Sequence, residues 1–184
     1  DTLCHAVEAY VSNASSPMTD MHALEALRLI RSALPAAIRE PGDLDLRFST
    51  LLASLHAGLA FSNASLGAVH AMAHSLGGAC DLVHGRCNTL LLEHVIAANY
   101  EAAPDRYDRI GEIIGPIDDE RASLAEGVAA FRRSLGITGT LAGFGLRKEM
   151  IPTLAWQAYT DPCMVTNPRR LTCEEIERIY EYAL

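Results

Sequence analysis

The chain has 184 residues, 49% hydrophobic and 21% charged, which is the length of one domain with enough apolar material for a core and rules out a disordered chain. Its formal net charge is −8, and its clearest Arg pairs, Arg132-Arg133 and Arg169-Arg170, stand isolated, so neither nucleic acid nor an anionic membrane surface is an expected partner. The 5 cysteines include no CxxC, a pattern that fits reduced thiols and predicts a cytoplasmic location.

Helical spacing of apolar residues runs through almost the whole chain, and period-two alternation is nearly missing, so the expected fold class is all-α, a multi-helix bundle-like domain. Leu3, Val7 and Tyr10 mark a first helix that ends in the turn-rich stretch Ser12 to Pro17. Thr19 and Asp20 offer caps for a second, carrying Leu24, Leu27, Ile30 and Leu34. After Glu40-Pro41-Gly42, Asp43 can cap a long helix through Leu46, Leu51, Leu55 and Leu59 toward Phe61, which is expected to be central and buried. Its apolar stretch Leu51–Leu66 is broken by Ser54, His56, Gly58, Ser62 and Asn63, and so is no membrane span.

A short His-bearing helix follows, closed by an expected turn at Gly77-Gly78. Helices are then predicted from Asn88 to Tyr100, Pro104 to Ile114 and Asp118 to Leu135, a loop over Ile137–Gly145, a helix near Lys148–Tyr159, and a connector from Asp161 to Arg170. Thr172 and Glu175 form a capping-box pattern for the last helix. No repeat or linker divides the chain, and the first residue is Asp rather than Met, so a fragment of a longer protein is expected.

The chemistry concentrates at Asp1, His5, His70, His74 and His84. Residues at i and i+4 of a helix share a face, so Asp1 and His5 can converge on one point, joined by one of the His70/His74 pair, while a turn near Gly77 can return His84 toward His70. Three imidazoles and one carboxylate make an N/O site suited to Fe²⁺ or Zn²⁺. Against this stands the plain alternative of histidines that merely fill helix faces, which is the expectation for His22, His56 and His94.

The run Gly67-Ala68-Val69-His70-Ala71-Met72-Ala73-His74-Ser75-Leu76-Gly77-Gly78, continuing to His84-Gly85 and Asn88, resembles the signature of iron-containing (group III) alcohol dehydrogenases. Asp1-x-x-x-His5-Ala6-x-Glu8-Ala9-Tyr10 is similar to their upstream metal segment, and Asn167-Pro168-Arg169 with Thr172-x-x-Glu175-Ile176 to their ending. The resemblance covers essentially residues 1–184 and implies the C-terminal helical metal-binding domain, of the kind shared with dehydroquinate synthase-like proteins. It places the metal ligands on Asp1, His5, His70 and His84, and His74 beside substrate and nicotinamide as a catalytic and cofactor-binding residue. Phe61 and Cys163 fall on positions lining the substrate pocket. Glu93 stands where relatives carry Pro.

The implied reaction is oxidation of a small alcohol to an aldehyde or ketone with NAD or NADP, assisted by a metal that the resemblance alone makes Fe²⁺, with Zn²⁺ next; the ligands do not decide between them, since Zn²⁺ has the higher intrinsic affinity for such a set and availability sets which is bound. No GxGxxG follows a strand here, and Gly139 to Gly145 reads as a loop, so the dinucleotide is expected to be bound mainly by an N-terminal domain outside this sequence, and the domain alone to be inactive. A homo-oligomer is compatible with this reading. The alternative function is a dehydrogenase-like regulator or sensor without turnover.

Overall fold

Capping chemistry sets several helix boundaries in the computed structural model, which describes residues 1–115 and 123–184. Ser16 accepts from Thr19 N–H while the Thr19 hydroxyl accepts from Ser16 N–H, and Pro17 fills the first position of α2 (Pro17–Arg39), where a missing N–H costs nothing. The helix therefore starts ahead of the expected caps at Thr19 and Asp20. Asp43 accepts from the Asp45 and Leu46 N–H groups to open α3 (Leu44–Ala64), as its sequence position predicts. The remaining helices are α1 (Thr2–Val11), α4 (Ala68–Cys80), α5 (His84–Asn99), α6 (Pro104–Ile114), α7 (Leu124–Ser134), α8 (Ile151–Thr160) and α9 (Cys173–Ala183). No strand occurs among the described residues, so the fold class is all-α. The expected helix start at Asp118 lies outside them.

Two expectations are corrected. Gly77-Gly78 is not a turn but part of α4; the chain reverses at Asp81, in left-handed backbone at φ 50°, before Val83 caps α5. Interior glycine costs a helix about 1 kcal/mol each, and the buried Met72 and Leu76 on the same helix outweigh it. Nor is α3 central: it buries Ala53, Ala57, Ala60 and Ala64 and exposes Leu44, Phe48, Leu51, Leu55 and Leu59. The alanine stripe lets α3 approach α2 and α1 closely, where the leucine stripe would hold it off.

The core runs between α1, α4, α5, α8 and α9, with Leu76, Leu91, Leu92 and Tyr180 fully buried, and Tyr180 Oη donates to Met72 O at 2.7 Å. Glu93 pairs with Arg132 through two contacts of 3.2 Å and so ties α5 to α7. All five cysteines are free, as their spacing predicts. Among the described residues no helix is long and apolar enough to cross a membrane.

Candidate metal centre

Three helices deliver the polar cluster. Asp1 caps α1 through its backbone, His5 N–H bonding Asp1 O at 3.0 Å, and because its side chain makes no cap bond the carboxylate is free for the centre. One turn on, His5 Nδ1 lies 3.8 Å from Asp1 Oδ2. From α4, His70 Nε2 comes within 3.7 Å of Asp1 Oδ1, and from the first turn of α5, His84 Nε2 comes within 3.9 Å of the same oxygen. Donor atoms of Asp1, His5 and His70 all lie within 4.8 Å of one another. His84 borders this trio, its ring centroid 5.2 Å from that of His70.

His70 is the buried member, 1% exposed, and its ring is fixed from behind. Glu8, itself buried, accepts from His70 Nδ1–H at 2.5 Å with one carboxylate oxygen and from Val69 N–H at 2.6 Å with the other. The ring proton is thereby held on Nδ1, which leaves the Nε2 lone pair facing Asp1. Burial, then the neighbouring His70 ring, lowers the His5 pKa to about 3, and burial with His70 and His74 lowers that of His84. These rings stay neutral at physiological pH, the form that binds a cation.

Asn88 tests whether the donors suit a cation. Its Nδ2 lies 2.7 Å from Asp1 Oδ1, 3.0 Å from His70 Nε2 and 3.0 Å from His84 Nε2. An amide nitrogen carries two protons, so it cannot serve three acceptors at once. The buried Oδ1 of the same side chain has no partner among the described residues. A positive centre able to satisfy several lone pairs together fits this donor set better than an amide does.

The other expected site residues lie close by. His74, on α4, donates from Nδ1 to Asp161 Oδ2 at 3.0 Å, and its ring stacks on His84 with centroids 5.5 Å apart. Burial alone would raise the pKa of Asp161, but bonds from Cys163 N–H and His74 hold it below the ordinary carboxylate value. Cys163 borders Asp161, and burial with that carboxylate pushes its thiol up to about 12. Phe61, from α3, stacks on His5 with centroids 4.4 Å apart, forming one wall of the cluster. His22 and His56 meet on the α2–α3 surface at 2.9 Å between Nδ1 atoms, away from these contacts.

Sequence reasoning gave no role to Glu8, Asn88, Asp161 or Asn167. Two carried a signal: Glu8 follows His5 by three residues, and Asn88 follows His84 by four, so each shares a helix face with a histidine. Asn167 stands in the Asn167-Pro168-Arg169 segment of the family resemblance, which does not say what it touches, and Asp161, recruited from distant chain, had no signal.

Comparison with known proteins bears on what this cluster does. Residues 1–184 match the family model described as Fe-containing alcohol dehydrogenase family, C-terminal. The chain is 36% identical to the NAD-dependent methanol dehydrogenase of Bacillus methanolicus, covering 100% of itself and 50% of that protein. It is 40% identical to the 1,3-propanediol dehydrogenase of Citrobacter freundii, over 100% of itself and 49% of that protein. It superposes on the alcohol dehydrogenase from Oenococcus oeni with a TM-score of 0.94 at 34% identity, again over 100% of this chain and 50% of that one. The chain thus spans about half the length of the relatives it matches.

Proposed function

Since this chain belongs to the Fe-containing alcohol dehydrogenase family, corresponding to its C-terminal part, we propose that it forms the metal-binding half of an active site that oxidises a small alcohol to an aldehyde or ketone with NAD or NADP. Asp1, His5, His70 and His84 would hold Fe²⁺ or Zn²⁺, and an N-terminal domain of a longer protein would bind most of the dinucleotide. The observation that carries this reading is the convergence of Asp1, His5 and His70 donor atoms within 4.8 Å, with His84 3.9 Å from Asp1. A divalent cation supplies such a site with a Lewis acid that polarises an alcohol oxygen and eases loss of its proton.

The chain's own residues do the positioning. Glu8 keeps the His70 proton on Nδ1, so that Nε2 stays a donor. The stacked rings of Phe61 and His5 form one side of the cluster. His74 gives its Nδ1 proton to the bond with the ionised Asp161, which leaves Nε2 open to accept a proton. Its side chain is 46% exposed, so the proton can pass on to solvent. Cys163, beside Asp161, would border the bound substrate.

Anaerobic calorimetric titration with Fe²⁺, repeated with Zn²⁺, tests the reading. A first, tightest equivalent is expected to bind in the parent chain, lost in His70→Ala and weakened in Asp1→Asn. Failure of both metals to bind, or binding indifferent to His70, overturns the proposal.

A further inference from the structure

A second group of donors stands beside the first. His74, Asp161 and Cys163 each place a ligand-type atom within 4.8 Å of the other two. They come from separate elements, His74 from the middle of α4 and the other two from the start of the turn Pro162–Thr166 that follows α8, so the tertiary fold brings them together. Local geometry also orients them. Asp161 caps that turn by accepting Cys163 N–H at 2.8 Å, which holds the carboxylate and the thiol side by side, and it accepts His74 Nδ1–H at 3.0 Å. Donor atoms on a tetrahedral Zn²⁺ with bonds of about 2.0–2.3 Å are about 3.3–3.7 Å apart, so small side-chain rotations separate the present hydrogen-bonded triad from a ligating one.

We propose that His74, Asp161 and Cys163 form a second cation site, selective for thiophilic divalent metals of the Zn²⁺ class and distinct from the all-nitrogen-and-oxygen centre at Asp1, His5 and His70. One thiolate, one imidazole and one carboxylate form a closing set of three, the count that leaves a fourth position to water, and sulfur favours Zn²⁺ over Mg²⁺ or Ca²⁺. On binding, Cys163 loses its Sγ proton to solvent and forms the S–metal bond. The His74 ring proton moves from Nδ1 to Nε2 so that the Nδ1 lone pair can ligate, and one Asp161 oxygen exchanges its hydrogen bonds for the metal. If His74 accepts the substrate proton, as proposed above, occupation of this site removes it from that task, so the same metals would inhibit the reaction of the longer protein.

Co²⁺ distinguishes the two sites, because among these donors only Cys163 can give the near-ultraviolet thiolate-to-cobalt charge-transfer absorption. Anaerobic titration of the full chain should give a first equivalent without this absorption and a second, weaker one with it. Cys163→Ser, nearly isosteric, should abolish the absorption while leaving the first equivalent in place. Asp161→Asn should weaken the second at least tenfold. His70→Ala should remove the first equivalent and keep the absorption. Loss of the first equivalent alone would overturn the proposed function and leave this site standing. No thiolate absorption at saturating Co²⁺, its persistence in Cys163→Ser, or its loss in His70→Ala would overturn the second site, the last by showing that the two groups act as one.

Discussion

Replacing Glu8 by Gln changes one atom in the carboxylate that fixes His70, and the structure specifies what must follow. One Glu8 oxygen accepts Val69 N–H at 2.6 Å and the other accepts His70 Nδ1–H at 2.5 Å, so both partners are donors. A glutamine offers one acceptor and one donor. With its oxygen toward Val69, its NH₂ faces His70 Nδ1 and drives the ring proton to Nε2, the nitrogen 3.7 Å from Asp1 Oδ1. The lone pair is then on the wrong side of the ring. Loss of such an outer partner costs a metal site roughly 10–100-fold in affinity, which at about 1.4 kcal/mol per tenfold amounts to about 1.4–2.8 kcal/mol. Competition of the parent and Glu8→Gln chains against a chelator for Zn²⁺ measures the loss, and nitrogen-15 NMR of the His70 ring reports the tautomer. Affinity within twofold of the parent, with the proton still on Nδ1, would refute the reasoning.

Three further outcomes follow from the packing. Glu175 lies below its ordinary pKa of 4.5, chiefly because it accepts Thr172 N–H and then because Arg169 pairs with it. Its folded-state value being the lower, its stabilisation is complete above pH 4.5 and fades as pH falls through that folded value; urea midpoints of parent and Glu175→Gln should converge in acid, and a gap constant with pH contradicts this. Leu51→Ala, at an exposed position of α3, should cost under about 0.5 kcal/mol, whereas Leu91→Ala in the core should cost about 2–5 kcal/mol; equal losses by denaturation would mean that α3 faces the other way. Gly67→Ala would place its Cβ 2.9 Å from Asn167 Oδ1 and 3.0 Å from Glu8 Oε1, so thermal stability should fall by about 1–3 kcal/mol and Zn²⁺ affinity with it, and unchanged affinity counts against Glu8 as the His70 brace.

Local signals were legible where they were sufficient. The caps at Asp43 and Thr172, the start at Pro104 and the helical class all follow from residues within one turn of each other. Helix α3 shows the limit: its sequence carries an alanine stripe and a leucine stripe, each at helical spacing, and periodicity cannot say which faces inward. Close approach to α2 decided for the smaller residues. Gly77-Gly78 failed similarly, because a glycine's intrinsic preference is weaker than the burial of its neighbours. In the candidate site, i,i+4 spacing put Asp1 and His5 together and left His70 and His74 as equals. What separates those two is their partners, Glu8 at a distance of 62 residues and Asp161 at 87, which no local pattern records.

Asn167 is the farthest of these supports. Its side chain accepts Ala68 N–H at 3.1 Å, at the start of α4, and exchanges bonds of 2.9 and 3.0 Å with buried Asn99, while its backbone oxygen accepts from Asn13 at 2.6 Å. A stretch near the end of the chain therefore clamps the base of the helix that bears His70 and His74. Ribosomal synthesis proceeds from the other end, so the four imidazoles emerge long before their clamp does. The order of events during biogenesis is thereby constrained: α4 can coil early, but it reaches its final seat only once Asn167 has been made and docked.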